Sequence, residues 1–180
     1  MGQVMIHATV TLDGFMADTE GGVDWMFDVE AADEDSAVMT KIWEEIGAVV
    51  GGANKTQTID EGELPYGGML KVPVYLMTHS EHESVEKDGT TYTFVVDDIK
   101  QAVDAAKQAA GDKTVSLLGG SISRQCLTLG LVDEIQLHVL PMLLGDGISL
   151  FGGLGERINL ERAETAAYAS ETHLRFRVVR

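Results

Sequence analysis

VSLLGGSISRQCLTLGLVDEIQLHVLPMLLGDGISLF, from Val115 to Phe151, decides how the rest of the chain is read. Val115 to Leu118 is a short apolar run bounded by turn formers and predicts a buried strand. Gly119 and Gly120 follow, then Ser121, a residue type that caps helix N-termini. Ile122, Cys126 and Leu129 recur at helical spacing, and Gly130 stands where a helix commonly ends in left-handed backbone. The segment therefore reads as strand, glycine corner and helix start. Free N–H groups and partial positive charge at such a start attract anions, and two residues without a Cβ let a ligand approach the main chain. A bound phosphate is the functional reading. The plain alternative is a tight strand–helix corner of the kind any α/β protein needs.

Further along, Leu131 to Glu134 lead into Ile135–Val139, whose alternation is that of a strand, and Pro141 ends it because proline has no N–H for the ladder. Leu143 to Gly147 (LLGDG) and the apolar Ile148–Phe151 complete the stretch. The ordered set GG…LGLVDE…LPMLLGDG…LF resembles the dihydrofolate-reductase-like superfamily, and within it the RibD C-terminal (bifunctional deaminase-reductase C-terminal) family. The resemblance implies an α/β, three-layer fold. A central mixed, mainly parallel sheet would be flanked by helices and closed by a C-terminal antiparallel strand pair, with residues 1–180 as one domain. It implies an NADPH-binding reductase, NADH being left open, with Leu118, Gly119, Gly120, Ser121 and Ile122 beside the cofactor diphosphate.

Composition narrows the partners. The 180 residues suffice for one core, no apolar run approaches the roughly 18 residues of a membrane span, and the start lacks the features of a signal peptide. The single cysteine, Cys126, excludes an internal disulfide and suits a reducing cytoplasm, the expected location; it lies on a helix's apolar side as a packing residue. The net charge of -16 argues against nucleic acid and anionic membranes. It also opposes an anionic dinucleotide, so backbone amides and local cations, with Lys55 and Arg124 as candidates, must outweigh it.

At the N-terminus Val4, Ile6, Ala8, Val10 and Leu12 alternate with Met5, His7, Thr9 and Thr11, a first strand in which His7 takes a polar partner. Thr11 to Ala17 (TLDGFMA) is similar to the family's SLDGFIA motif. Asp13 there would fix a loop through backbone N–H groups or touch the substrate with Gly14. Gly21 to Trp25 (GGVDW) reads as an exposed loop where Asp24 and Trp25 wall the pocket. Asp33 to Ser36 opens an acidic helix start with Met39, Ile42, Trp43 and Ile46 on its apolar face, and Gly47 ends it. Asp35, like Asp33, stands near the place of the carboxylate that holds the pterin in dihydrofolate reductases; dipole complementation is the plainer account. Asp13 and Asp35 are the catalytic candidates.

Ala48–Val50 predicts a strand ending in GGANKT, Gly51 to Thr56. It is not a Walker loop, because Lys55 comes three residues after Gly52, and no Rossmann fingerprint occurs. The corner resembles the superfamily's MGR-x-T segment, which implies Gly52, Ala53, Asn54 and Lys55 against the cofactor's adenosine phosphates, with Ala53 where arginine is usual. Residues 58–69 read as a loop. Val72–Thr78 reads as a strand interrupted by Pro73, and Thr78 and Ser80 lie at the carboxyl end where open α/β sheets bind ligands. His79 and His82 read as surface residues, and no metal ligand set is expected. Residues 83–91 read as a connection, Tyr92–Val96 as a strand, and Ile99–Ala110 as a helix capped by Asp97 or Asp98. Ile158–Tyr168 and Thr172–Val179 read as closing strands, Arg175 and Arg177 forming a solvated face that protects an edge.

The expected function is therefore an NADPH-dependent reductase of a small heterocycle, Phe151 included among the substrate contacts. It would be related to 5-amino-6-(5-phosphoribosylamino)uracil reductase and to dihydrofolate reductase. Leu118 replaces the acidic residue that riboflavin enzymes carry before the glycine pair, and Gln57 to Glu61 replaces their D-D-P…R segment, so the substrate is unassigned. The alternative is a noncatalytic nucleotide- or heterocycle-binding module. The resemblance also implies a homodimer.

Overall fold

The computed structural model describes residues 2–30, 32–53 and 65–179. Alternation in β1 (Val4–Thr11) splits its side chains between two cores: Val4, Ile6 and Val10 enter one, Met5 the other. A strand buried on both faces needs cover on both, and the chain supplies it. After β2 (Phe15–Ala17) and a 3-10 turn at Asp24–Phe27, helix α1 (Asp33–Glu45) runs directly into β3 (Ile46–Gly52). Gly47 is thus a strand residue and not a helix stop. It lies so close to α2 that a Cβ there would come within 2.6 Å of Lys113 Cβ.

A second 3-10 turn, Pro65–Gly68, precedes β4 (Val74–Thr78), which begins just after Pro73. Residues 83–91, expected to be a plain connection, hold β5 (Val85–Lys87) and the start of β6 (Thr90–Val96), which extends the expected strand Tyr92–Val96 and pairs with β5 as a hairpin. Its two-residue turn, Asp88 and Gly89, has φ of 51° and 79°, the left-handed pair that matches strand twist. Helix α2 (Ile99–Ala110) follows, with Asp98 accepting from Gln101 N–H at 2.9 Å. Then come β7 (Thr114–Leu117), α3 (Gly120–Thr128), β8 (Glu134–Leu140), β9 (Ile148–Ser149), β10 (Asn159–Ala167) and β11 (Thr172–Val179).

The nine-stranded sheet has the order β10-β11-β8-β1-β7-β3-β4-β6-β5. From β8 to β6 neighbours run parallel, while β5 at one end and the β11–β10 pair at the other are antiparallel. β2 and β9 form a separate small sheet. α2 and α3 cover one face through Ala102, Val103, Ala106, Ile122 and Cys126; α1 covers the other through Ile42, with Val38 and Trp43 half-buried. Burial lifts the Cys126 thiol to about 12, as befits a packing residue. This is the expected three-layer α/β architecture with a mainly parallel sheet and a closing antiparallel pair.

Arg177 is exposed, as expected, but Arg175 and the edge role are corrections. β11 lies between β8 and β10, so it is not an edge. Arg175 is largely buried and binds Glu134 of β8 at 2.7 Å and Glu45 of α1 at 3.0 Å. Its charge ties helix to sheet. Alternation alone could not reveal that an acidic partner stands on each side.

Candidate functional site

Adjacent parallel strands deliver their carboxyl ends side by side, so residues far apart in sequence meet along one rim. Three of the expected cofactor corners gather there: Gly52 and Ala53 after β3, Thr78 and Ser80 after β4, and Leu118 to Ile122 after β7. Ala53 N–H donates to Met77 O at 2.8 Å and Leu118 N–H to Val50 O at 2.8 Å, which stitches the corners together. A Cβ added at Gly52 would lie 3.8 Å from Ile122. Asn54 and Lys55, like the Gln57–Glu61 segment, lie outside the described residues.

The helix cap differs from expectation. Gly119, with φ of 93°, is the N-cap of α3, and Ser121 sits inside the first turn, its Oγ accepting from Gln125. Ser123 N–H is donated to Gly119 O at 3.0 Å, so the amides of Gly120, Ser121 and Ile122 precede the helical ladder. At the other end, Gly130 N–H meets Leu127 O and Leu131 N–H meets Cys126 O, the Schellman pattern. Leu127 is buried and Leu129 exposed, the reverse of the spacing-based expectation.

Asp13, at the end of β1, accepts from Thr11 Oγ1 at 2.5 Å, Leu144 N–H at 3.2 Å and Gly145 N–H at 2.8 Å. It pins the LLGDG loop to the turn at Gly14, whose φ is 86°. The Thr11 hydroxyl and these amides hold its carboxyl below the ordinary value. Arg124 is committed to the protein: its guanidinium donates to Ser149 O at 2.8 Å and Leu150 O at 3.2 Å, tying α3 to β9. Phe151 packs on the α2/α3 core. Asp24 and Trp25 form the first 3-10 turn, and the Trp25 indole N–H is enclosed with no acceptor among the described residues.

Asp35 lies apart from this rim, on the α1 face of the sheet. It is fully buried, and its oxygens accept from Ser170 Oγ at 2.5 Å, His173 Nε2 at 2.7 Å and Ala32 N–H at 3.3 Å. Burial pushes its carboxyl up, but these donors outweigh it and hold the group below its usual value. From His173 the contacts continue: Nδ1 to His138 Nδ1 at 2.6 Å, His138 Nε2 to His7 Nε2 at 2.9 Å, His7 Nδ1 to the Tyr66 hydroxyl at 2.9 Å, and that hydroxyl to Ser116 Oγ at 2.6 Å.

A carboxylate only accepts. His173 therefore donates from Nε2; in one arrangement of the rest it accepts at Nδ1 while His138 donates from Nδ1, His7 donates from Nε2 and Tyr66 donates to His7. That direction satisfies the whole chain. Burial keeps His7 and His138 neutral, lowering His7 to about 4 and, with the neighbouring imidazoles His7 and His173, lowering His138 to about 2. His7 does find a polar partner, as its place in β1 predicts; that the partner is another histidine was not legible.

His173 also lines a cleft of about 330 Å³ between α1 and strands β8, β10 and β11, together with Lys41, Gln136, Tyr168 and Arg175. None of the expected cofactor or substrate residues lines it. Its members come from four elements and the turn before β11, and no local spacing marks them.

A profile of the RibD C-terminal domain matches residues 3–174. The chain belongs to that family. A relative is the uncharacterized protein YyaP of Bacillus subtilis (strain 168), 30% identical over 179 residues, covering 93% of this chain and 90% of YyaP. Among solved structures, a proposed riboflavin biosynthesis protein of Shewanella sp. PV-4 superposes with a TM-score of 0.78 at 22% identity, covering 99% of each chain. Enterococcus faecalis dihydrofolate reductase complexed with NADP(H) gives 0.59 at 10% identity, covering 98% of this chain and 96% of that one. The RibD C-terminal fold is thereby established, and its members share the reductase-like architecture. Among the described residues no helix is long and apolar enough to cross a membrane.

Proposed function

We propose that this RibD C-terminal protein is a nicotinamide-dependent reductase of a small heterocycle, with NADPH as the expected cofactor. The observation that carries the reading is the convergence of the β3, β4 and β7 corners beside the uncommitted amides of Gly120, Ser121 and Ile122. Those amides and the adjoining Cβ-free residues suit a diphosphate, which backbone N–H groups can hold even in a chain of charge -16. The dihydrofolate reductase neighbour binds NADP(H) on the same fold, and the Shewanella neighbour is assigned to riboflavin biosynthesis.

When bound, the cofactor supplies a hydride to the substrate. Gly52, Ala53, Asn54 and Lys55 are assigned to its adenosine end, with Thr78 and Ser80 flanking. Asp13 is a positioning residue: it holds the 143–147 loop against the Gly14 turn. The indole N–H of Trp25, enclosed and without an acceptor, suits a ring nitrogen or carbonyl of the substrate, with Asp24 and Phe151 around it. Asp35 acts through His173, orienting the imidazole and the α1 start. The chain is taken as one domain, working in the cytoplasm as a homodimer.

Leu118 favours a second reading. Where riboflavin enzymes present an acid it turns an apolar side chain against the α1-side core, so a binding module without catalysis is the alternative. Titration of NADPH and NADH, followed by cofactor fluorescence and melting temperature, tests both. Absence of binding at about millimolar concentration removes the reductase reading. If NADPH binds, its oxidation with dihydrofolate or a ribosylamino-pyrimidine separates enzyme from module.

A further inference from the structure

Beside the histidine chain stands a carboxylate that the chain does not use. Glu171, in the turn between β10 and β11, directs Oε2 to within 3.6 Å of His138 Nδ1 and 3.8 Å of His173 Nδ1. That oxygen is buried and has no hydrogen-bond donor among the described residues. Leaving a carboxylate oxygen in this condition is costly. We propose that His138, His173 and Glu171 form a binding site for a divalent transition-metal ion, with zinc the best match.

Three observations carry the assignment. The two Nδ1 atoms are 2.6 Å apart and meet head-on, with ring centroids 4.9 Å apart. A point equidistant from them and from Glu171 Oε2 lies about 2 Å from each, the length of a zinc bond to imidazole or carboxylate, once both rings swing off their shared axis and give up their mutual hydrogen bond. Both imidazoles have their far nitrogens held, His173 by Asp35 at 2.7 Å and His138 by His7 at 2.9 Å; such outer partners orient ligating histidines. Two carboxylates, Asp35 and Glu171, flank the rings, and the nearby Arg175 is already engaged by Glu134 and Glu45. A divalent charge balances them. Of the three, His173 also lines the α1 cleft.

Metal entry conserves protons. The cation takes the Nδ1 lone pairs of both rings, and the His138 proton moves to Nε2. His7 adopts the Nδ1–H tautomer, and Tyr66 donates to Ser116 in place of His7. The site stands whether or not the chain is a reductase.

The test uses the untagged full chain, stripped with EDTA and titrated with Zn²⁺ by calorimetry and with Co²⁺ by visible absorption. One ion per chain is expected, with a raised melting temperature reversed by chelator and a Co²⁺ spectrum of low coordination number. Glu171→Gln, at a turn position whose Oε2 has no donor to lose, should fold normally and weaken Zn²⁺ binding at least about tenfold; Asp35→Asn should weaken it by a similar factor through His173. The proposal is overturned if the wild-type chain binds no Zn²⁺ at about 100 µM. It is equally overturned if Glu171→Gln binds as wild type, or if binding disappears in His79→Ala/His82→Ala instead.

Discussion

His173 and Asp35 meet at 2.7 Å although 138 positions separate them, and both are buried. The contact locks the start of α1 to β11, with Ser170 as a second donor at 2.5 Å. Asp35→Ala removes the acceptor from two buried donors at once. We expect a loss of about 2–4 kcal/mol in urea unfolding of the metal-free protein. A loss under about 0.5 kcal/mol would mean that water replaces the carboxylate without cost.

The same face predicts acid sensitivity. His7 and His138 stay neutral in the native chain down to about 4 and about 2, because burial disfavours their charged forms. In the unfolded chain both take protons near the ordinary value of 6.5. The unfolded state therefore binds more protons below that pH, and native stability, complete above it, falls as the pH drops. With EDTA present, each imidazole should cost about 2 kcal/mol between pH 6.5 and 5. Urea midpoints measured across that window check this, and a flat profile would refute it.

Gly52 offers a clean probe of the rim. A Cβ there meets only Ile122, at 3.8 Å, so Gly52→Leu should fold while its side chain fills the space between the β3 and β7 corners. NADPH affinity should fall at least about tenfold with the melting temperature within about 3 °C of wild type. Gly119 is a poorer probe: its φ of 93° strains any other residue, and Gly119→Val should also cost about 1–2 kcal/mol of stability. Unchanged affinity in Gly52→Leu would place the cofactor elsewhere.

Asp13 is predicted to act on order within the loop and not on global stability. Asp13→Ala frees the Leu144 and Gly145 amides. Their hydrogen exchange should quicken by about tenfold or more, with amides of the parallel core unchanged. If the two amides remain protected, another group holds the loop.

Local patterns carried much of this. Alternation placed β1, β8 and β11, and an apolar run placed β7. The glycine corner after β7 was legible because a strand-to-helix turn that tight demands backbone only glycine adopts easily. The Asp88–Gly89 turn was not legible although its dipeptide is a hairpin signal; polar residues hid the three-residue β5, whereas most of β6 shows in the sequence as Tyr92–Val96. Ser121 was chosen as the cap by residue type, whereas Gly119 holds that position because the turn needs its positive φ.

Residue order thus determined the family, the layered architecture and the carboxyl-end rim, since periodicity, turn chemistry and spacing are properties of neighbours along the chain. Only tertiary structure decided what the histidines and Arg175 do. Parallel crossovers bring β1, β8 and β11 together and lay α1 across them, so the environment of His7, His138 and His173 is built from distant segments. Burial and partner geometry, which set their tautomers and charge, exist only once those segments have met.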